Sequence, residues 1–476
     1  MSAVVTDRSP GPASSAVPPG QRSRLDRFFG ITESGSTVRI EVVAGLVTFL
    51  TMCYILVVNP SILSSVKDGA GHTLSFGQVE TVTALAAGVM TLAMGLIGKV
   101  PLGLAAGLGI NAFVAFSLVG GSTHLTWPEA MGVVVTEGLV MAVLVFFRDI
   151  RERVLNAIPP DLKSAIAVGI GLFIGLIGLV NAGVVVKGSG TLVALTPQFR
   201  GWSLMIFVFG LMVTGAFVAR RMRGALLYGI VLTTAFATVV NALNNNKVFT
   251  DGSARIPHHL STPSFHLVGA FSFDFWSTLG AATAIAVVLS LALSDFFDNA
   301  GTTYGILGTA GKLRPNGTLP RARAILGVDA IAAVVGGAVS ASSNTTYIES
   351  ASGVEEGGRT GLTAVVVSVL FLVCIFLAPI AGIVPSVATA PVLVIVAYYM
   401  IRKVLEIDLQ DPGVGIPALL TILVMPATYS ITNGVGAGIV SYAVISLLSG
   451  NARRVHPALY AVAAVFCWYF WHGIVG

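Results

Sequence analysis

Asp295, Asp298 and Thr302 fall at i, i+3 and i+7 in the segment Ser294-Asp295-Phe296-Phe297-Asp298-Asn299-Ala300-Gly301-Thr302-Thr303, so a helix there sets all three on one face. The segment closes an apolar run, where ionisable groups are costly and usually functional. An Asp298 carboxylate offers two acceptor oxygens to neighbouring N–H groups on one edge of a planar ring. The plainer alternative leaves both acids at a span's cytoplasmic end, against water or backbone. Glu349 follows the polar run Ser342-Ser343-Asn344-Thr345-Thr346 and is expected in the first turn of a short helix beginning near Tyr347. A helix N-terminus favours the carboxylate and burial favours the neutral acid. That balance suits a group that takes up and gives back a proton, with simple helix capping as the alternative.

Other polar residues carry weaker signals. Asn111, Phe113 and Phe116 either offer an amide and aromatic surface to a flat ligand or simply pack. Thr48, Thr51 and Tyr54, at i, i+3 and i+6, fit the lining of the same cavity. Glu137 and Asp329 read as packing residues or helpers, and Glu355, Glu356 and Arg359 as a solvated cluster at a cytoplasmic end. Gly107-Leu108-Gly109-Ile110-Asn111-Ala112 superficially matches a dinucleotide fingerprint, but the strand and βαβ context that motif needs is missing. Cys53, Cys374 and Cys467 sit in apolar runs as small hydrophobes, with no disulfide or metal pattern. The histidines, mostly in loops, form no metal-ligand cluster, and no cofactor is expected. A membrane enzyme would need a nucleophile–base pair or a metal cluster among the spans, and neither is legible.

These side chains need a scaffold at membrane depth. Of 476 residues, 55% are hydrophobic and 10% charged, with mean hydropathy +0.87. A soluble domain carries about 25% charged residues, so this chain lacks the charge to cover a water-facing surface. Its apolar runs are about 17–23 residues long, enough to cross roughly 30 Å of hydrocarbon as helix. Strand-length alternation is absent, which argues against a β-barrel. The expectation is an all-α polytopic membrane protein.

Spans are expected near 42–62, 80–98, 101–119, 129–147, 163–181, 201–219 and 224–242, and again near 277–299, 324–339, 340–356, 360–382, 388–402, 413–429 and 433–450. A polar loop with Asn244-Asn245-Asn246, Pro257, His258 and His259 separates the two sets of seven. Residues 456–474 are either a further span or a helix at the interface. Residues 1–28 have no apolar signal-peptide core and read as a disordered tail. Within it, Arg24-Leu25-Asp26-Arg27-Phe28-Phe29 is able to lie as a short helix on the cytoplasmic face.

Basic residues gather in alternate loops. Arg148, Arg151, Arg153 and Lys163 surround one, Arg220, Arg221 and Arg223 another, and Lys312, Arg314, Arg321 and Arg323 a third. Arg402, Lys403, Arg453 and Arg454 lie in later ones, and the intervening loops hold Lys67, Lys187, Arg200, Lys247 and Arg255. By the positive-inside rule this sets the N-terminus in the cytoplasm. The pI near 9.2 therefore reports topology rather than a nucleic-acid partner.

Two spans are abnormal. The third is interrupted by Pro101, Gly103, Gly107, Gly109 and Asn111, and residues 338–353 are a polar run at the tenth. Gly weakens a helix, and clustered Ser, Thr and Asn offer the backbone competing hydrogen bonds. Each abnormal span is the third of its seven-span half, and an odd number of spans inverts one half against the other. Paired broken spans point to a transporter's binding site near the bilayer midplane. Gly171 and Gly175 in the fifth span form a small-xxx-small pattern that permits close helix packing and fits a dimer contact.

Several of these motifs resemble the adenine/guanine/hypoxanthine permease family, the azaguanine-sensitivity branch of the nucleobase–cation symporters. In the first half the likeness rests on Thr48-Phe49-Leu50-Thr51-Met52-Cys53-Tyr54, Asn59-Pro60 and Gly107 to Phe113. In the second it rests on Asp295 to Thr302, Thr346 to Val354 and Gly357 to Thr363. It runs from about residue 24 to 450, and Glu349 to Thr363 is its most specific block. The resemblance implies fourteen spans in two inverted repeats, 29–242 and 276–450, around an extracellular loop at 243–275, with 451–476 as a C-terminal apolar segment. It implies a core domain and a gate domain, the third and tenth spans each a short strand plus a half-helix.

The activity implied is proton-coupled uptake of purine bases across the cytoplasmic membrane, often as a homodimer, with membrane lipid as the other partner. Asp298 before Gly301 matches the superfamily's acid three residues before a Gly, and Glu349 its half-helix acid. The implied substrate site is Asp298, Glu349, Asn111, Phe113, Thr51, Gly301, Thr302 and Thr346, with Glu349, Asp298 and Asp295 handling protons. This chain has Asn299 where the family pattern usually has Thr, a departure that bears on the choice among purines. Rival readings are a uracil or xanthine permease and an anion transporter of the same fold. Basic residues in the site would favour the anion carrier, and the broken spans contain none.

Overall fold

The computed structural model describes residues 23–121, 123–146, 158–188, 191, 193–196, 201–249, 253–254, 262–314, 318–377, 383–452 and 455–475. Residues 1–22 of the expected tail, Arg148, Arg151, Arg153, Arg200, Arg255, Pro257, His258, His259, Arg453 and Arg454 lie outside them. The chain is mostly helical. A short helix α1 (Arg24–Phe29) precedes α2 (Val38–Met52), α3 (Ile55–Leu63), α4 (Phe76–Ala93), α5 (Leu108–Ala112), α6 (Trp127–Phe146), α7 (Pro160–Asn181), α8 (Trp202–Ala219) and α9 (Ala225–Leu243). The second half supplies α10 (Phe275–Thr309), α11 (Ala322–Ala338), α12 (Ser350–Glu355), α13 (Gly361–Cys374), α14 (Ser386–Ile401), α15 (Pro412–Thr428), α16 (Ile431–Leu448) and α17 (Pro457–Val475). The described strands are β1 (Leu104–Ala106), β2 (Val185–Val186), β3 (Ala194–Leu195) and β4 (Asn344–Thr346), and short 3₁₀ or π-helical turns extend several helices.

Among the described residues, nine helices are long and apolar enough to cross a membrane. Their outer faces suit hydrocarbon: on α8 the residues Met205, Val208 and Met212 are exposed, which in water would be an unprotected apolar stripe. The molecule is a multi-pass membrane protein. Local chemistry sets the helix ends. Thr37 caps α2 by accepting from Ile40 N, Pro160 starts α7 where no donor is needed, and Asp411 caps α15 ahead of Pro412. The helix at Arg24–Phe29 forms as expected, held by the Lys99 ammonium, which donates to Phe28 O (2.7 Å) and sits 4.0 Å from its ring centroid.

The two broken segments meet each other. β1 and β4 pair antiparallel in the register Leu104↔Thr346, Ala105↔Thr345 and Ala106↔Asn344. Gly107 N donates to Ser343 O (2.9 Å) and Tyr347 N to Gly103 O (3.0 Å), while Gly103 N donates to Ser350 Oγ (2.9 Å) and Leu104 N to Thr91 Oγ1 (2.9 Å). Non-helical backbone at membrane depth is tolerated only where such partners exist, and the broken segments supply most of each other's, with Thr91 of α4 adding one.

The helices fall into two packing groups. One holds α2, α3, α4, α6 and α10 to α13 with β1 and β4; the other holds α7, α8, α9, α14, α15 and α16. Two sequence expectations change here. α10 was expected to end near residue 299 and runs to Thr309, with a non-helical residue at Gly280, so Asp295 and Asp298 lie well inside it. The Gly171 and Gly175 face is occupied within the chain: a Cβ on Gly171 would meet Met400 Cβ at 2.7 Å and one on Gly175 would meet Ala397 Cβ at 2.9 Å, both on α14. Close packing at this face serves α14, not a second copy. Residues 457–474 of the expected C-terminal segment are helical (α17) and pack on α16 and α10.

Candidate functional site

Between the two groups, where β1 and β4 meet, lies a cavity of about 190 Å³. Its size suits a small ligand; pockets for drug-sized molecules run to roughly 300–1,000 Å³. The broken segments give it Gly107 to Ile110, Phe113 and Thr345 to Glu349. α10 gives Leu291, Ser294, Asp295, Asp298 and Thr302, and the first span gives Tyr54. The other group closes it with Ile170, Val396, Tyr399, Met400, Lys403 and Ile431. The lining is predominantly apolar, with carboxyls at few points, the composition expected of a site that orients a flat polar molecule.

Glu349 is held rather than free. It precedes α12 and makes no side-chain cap, so the capping alternative fails. Instead its Oε1 accepts from Tyr54 Oη (2.7 Å), and its carbonyl from Thr51 Oγ1 (3.4 Å), which also donates to Thr48 O (2.8 Å). Tyr347 Oη donates to Ala106 O (2.5 Å), tying the second half-helix to the first strand.

On the opposite wall, Asp295 is buried and accepts from Asn299 Nδ2 (2.9 Å) and Ser343 Oγ (3.0 Å). Asn299 Oδ1 accepts from Thr346 N (2.8 Å), and Thr346 Oγ1 donates to Asp329 Oδ1 (2.9 Å). Asn299 thus bridges α10 to β4. Asp298 is more open: its side chain is 53% exposed and lies 3.7 Å from Lys403 Nζ.

The sequence candidates divide accordingly. Asp298, Glu349, Asp295, Phe113, Thr302 and Thr346 line the cavity together with Tyr54. Thr51 stands behind Glu349 as its support. Asn111 is fully buried outside the lining, with both amide atoms unpartnered among the described residues, and Phe116 packs away from it. Gly301 is exposed on α10, outside the lining. Lys403, Tyr399 and Tyr347 were missed. Lys403 looked like one more charge at a span's end, and only the approach of α14 to α10 brings it to Asp298.

Residues 39–437 match the model of the Permease family (Xan_ur_permease). The chain is 38% identical over 442 residues to the adenine permease AdeP of Escherichia coli K12, covering 93% of this chain and 95% of that one. To the guanine/hypoxanthine permease PbuG of Bacillus subtilis 168 it is 35% identical over 449 residues, covering 94% and 99%. Among solved structures, the transmembrane domain of the cyanobacterium bicarbonate transporter BicA aligns with a TM-score of 0.57 at 15% identity, over 84% of this chain and 97% of that one. Murine Slc26a9 in its inward-facing state aligns at 0.61 with 11% identity, over 94% and 77%. At such identities the structural likeness speaks for the fold alone.

Proposed function

The chain belongs to the Permease family, and on that premise we propose that it carries purine nucleobases such as adenine, guanine and hypoxanthine inward with protons. The relatives named above transport such bases. The observation that carries the reading is the cavity at the β1–β4 meeting point, with Glu349 on one wall and Asp298 and Asp295 on the other. Carboxyl oxygens on opposing walls fit the N–H edges of a two-ring heterocycle, and Phe113 and the strand backbone supply a flat apolar side. Substrate contacts are assigned to Asp298, Glu349, Phe113, Thr302 and Thr346, with Asn111, Thr51 and Gly301 as supports. Glu349, Asp298 and Asp295 handle the proton.

In this reading the group with the broken segments is the core and the other group the gate, and alternating access is their relative motion. Fourteen spans in two inverted sets of seven follow from adding the third, ninth, tenth, eleventh and thirteenth segments to the nine long helices. The chain sits in the cytoplasmic membrane with its N-terminus inside, which the basic loops favour. Among the described residues, Lys403 is the basic side chain in the lining that would suit an anion carrier, and its partner Asp298 argues against that role.

The test is uptake of labelled adenine, guanine, hypoxanthine, xanthine and uracil in a host lacking its own base permeases, with and without a protonophore. Protonophore-sensitive purine uptake, lost in Asp298→Asn and Glu349→Gln at normal membrane levels, is expected. Well-expressed protein that carries none of the purines would overturn the reading, and selective uptake of uracil would transfer it to the pyrimidine branch.

A further inference from the structure

A buried acid stands directly behind the cavity without lining it. Glu137, on α6, has no exposed surface, and no donor among the described residues reaches either carboxyl oxygen. The titratable groups facing it are also acids, Asp295 from α10 and Asp329 from α11. The Glu137 and Asp295 carboxyls face each other closely enough for one proton to bridge them. Ser343, before β4, lies beside Glu137, but its one hydroxyl hydrogen goes to Asp295 Oδ2 (3.0 Å). The Asn299 amide also serves Asp295, and the Thr346 hydroxyl serves Asp329.

An ionised carboxylate only accepts hydrogen bonds, and burying one without donors costs several kcal/mol. Two carboxyls in contact are satisfied by one proton between them, because like charges so close do not both ionise. The helix that carries Glu137 is held tightly in place: Gly138, the next residue, is packed so closely on α11 that a Cβ there would sit 2.5 Å from Val334 N. The pair therefore has one member enclosed by protein, Glu137, and one member open to the cavity, Asp295.

We propose that the proton shared by Glu137 and Asp295 is the one that accompanies the substrate, with Glu137 as its enclosed seat and Asp295 as its way out. This rests on the proton-coupled reading above and adds to it a residue from outside the cavity. The step is a proton transfer alone. The Glu137 O–H bond breaks as an Asp295 oxygen takes the proton, Asp295 passes it to cavity water, and reloading runs the same path in reverse from the other side of the membrane.

Purified protein in lipid vesicles separates the roles. Glu137→Gln is expected still to exchange internal for external labelled purine, which needs no net proton movement, while losing accumulation driven by a pH gradient and the proton uptake that accompanies it. A Glu137→Gln protein that accumulates purine with the wild-type pH profile overturns the proposal and leaves the purine reading intact. Wild-type vesicles that carry no purine would take both readings down together. Should Glu137→Gln not reach the membrane, Glu137→Asp serves. Its carboxyl is withdrawn from Asp295 by one methylene, so the pH midpoint of accumulation is expected to move by about one unit, equal to about 1.4 kcal/mol, with the exchange profile unmoved. Coincident midpoints would overturn the proposal.

Discussion

Tyr54 and Glu349 lie 295 positions apart in the chain and meet at 2.7 Å, so the geometry of the carboxyl is set by a residue of the first span. Removing that hydroxyl in Tyr54→Phe leaves the ring in place and deletes one bond worth about 0.5–1.5 kcal/mol. A rise of roughly two- to tenfold in the KM for purine uptake is expected, read from initial rates at graded substrate. Asn299 gives a second test. Asn299→Ala strips one donor from Asp295 and leaves the Thr346 N–H unpaired, a loss of about 1–3 kcal/mol. Asn299→Thr shortens the side chain and replaces its amide with a hydroxyl, weakening both bonds, so the ranking of adenine, guanine and hypoxanthine as competitors should change. An unchanged ranking would remove Asn299 from substrate choice. Asp298 and Glu349 were legible because charge inside an apolar run is rare. Lys403 was not, because its role depends on which helix end comes to rest beside α10.

The elements that position these groups are short and closely fitted. Gly353, in the six-residue helix α12, lies so near α2 that a Cβ would collide with Thr48 Oγ1 and sit 2.6 Å from Ala44 O. Gly353→Ala is expected to cost about 1–3 kcal/mol by overpacking, visible as a lower unfolding temperature in detergent. It should also misplace Glu349, which immediately precedes the helix. An unchanged melting profile would mean that α12 shifts freely on α2. The break at both segments was legible because Gly, Pro, Ser and Asn act on their own backbone. The real end of α10 was not: the run Ala300 to Thr309 is too polar to look like a span, yet it is helical.

At the scale of the molecule, two ion pairs among the described residues join the packing groups: Arg223 with Glu356, and Lys403 with Asp298. Under the proposed core and gate assignment, both must part when the groups move. Partly exposed pairs contribute about 0–1 kcal/mol each, so neither locks the protein alone. Arg223→Gln together with Lys403→Gln is expected to shift the conformational balance by up to roughly thirtyfold, the sum of two such pairs at about 1 kcal/mol each. The readout is the alkylation rate of a cysteine placed at Thr302 on the cavity wall. An unchanged rate would show that the pairs form equally in both conformations.

The membrane class, the places of the nine long apolar helices (the end of α10 apart) and the two broken segments followed from the sequence by itself. Each depends on the transfer free energy or backbone preference of residues close together in the chain. The β1–β4 register, the Tyr54 support of Glu349 and the Glu137–Asp295 contact were decided only by the tertiary structure. So was the close fit of Gly171 and Gly175 against α14, where a dimer contact had been expected. These are contacts between residues distant in the chain, and a side chain's burial or hydrophobicity carries no record of which distant partner it will meet.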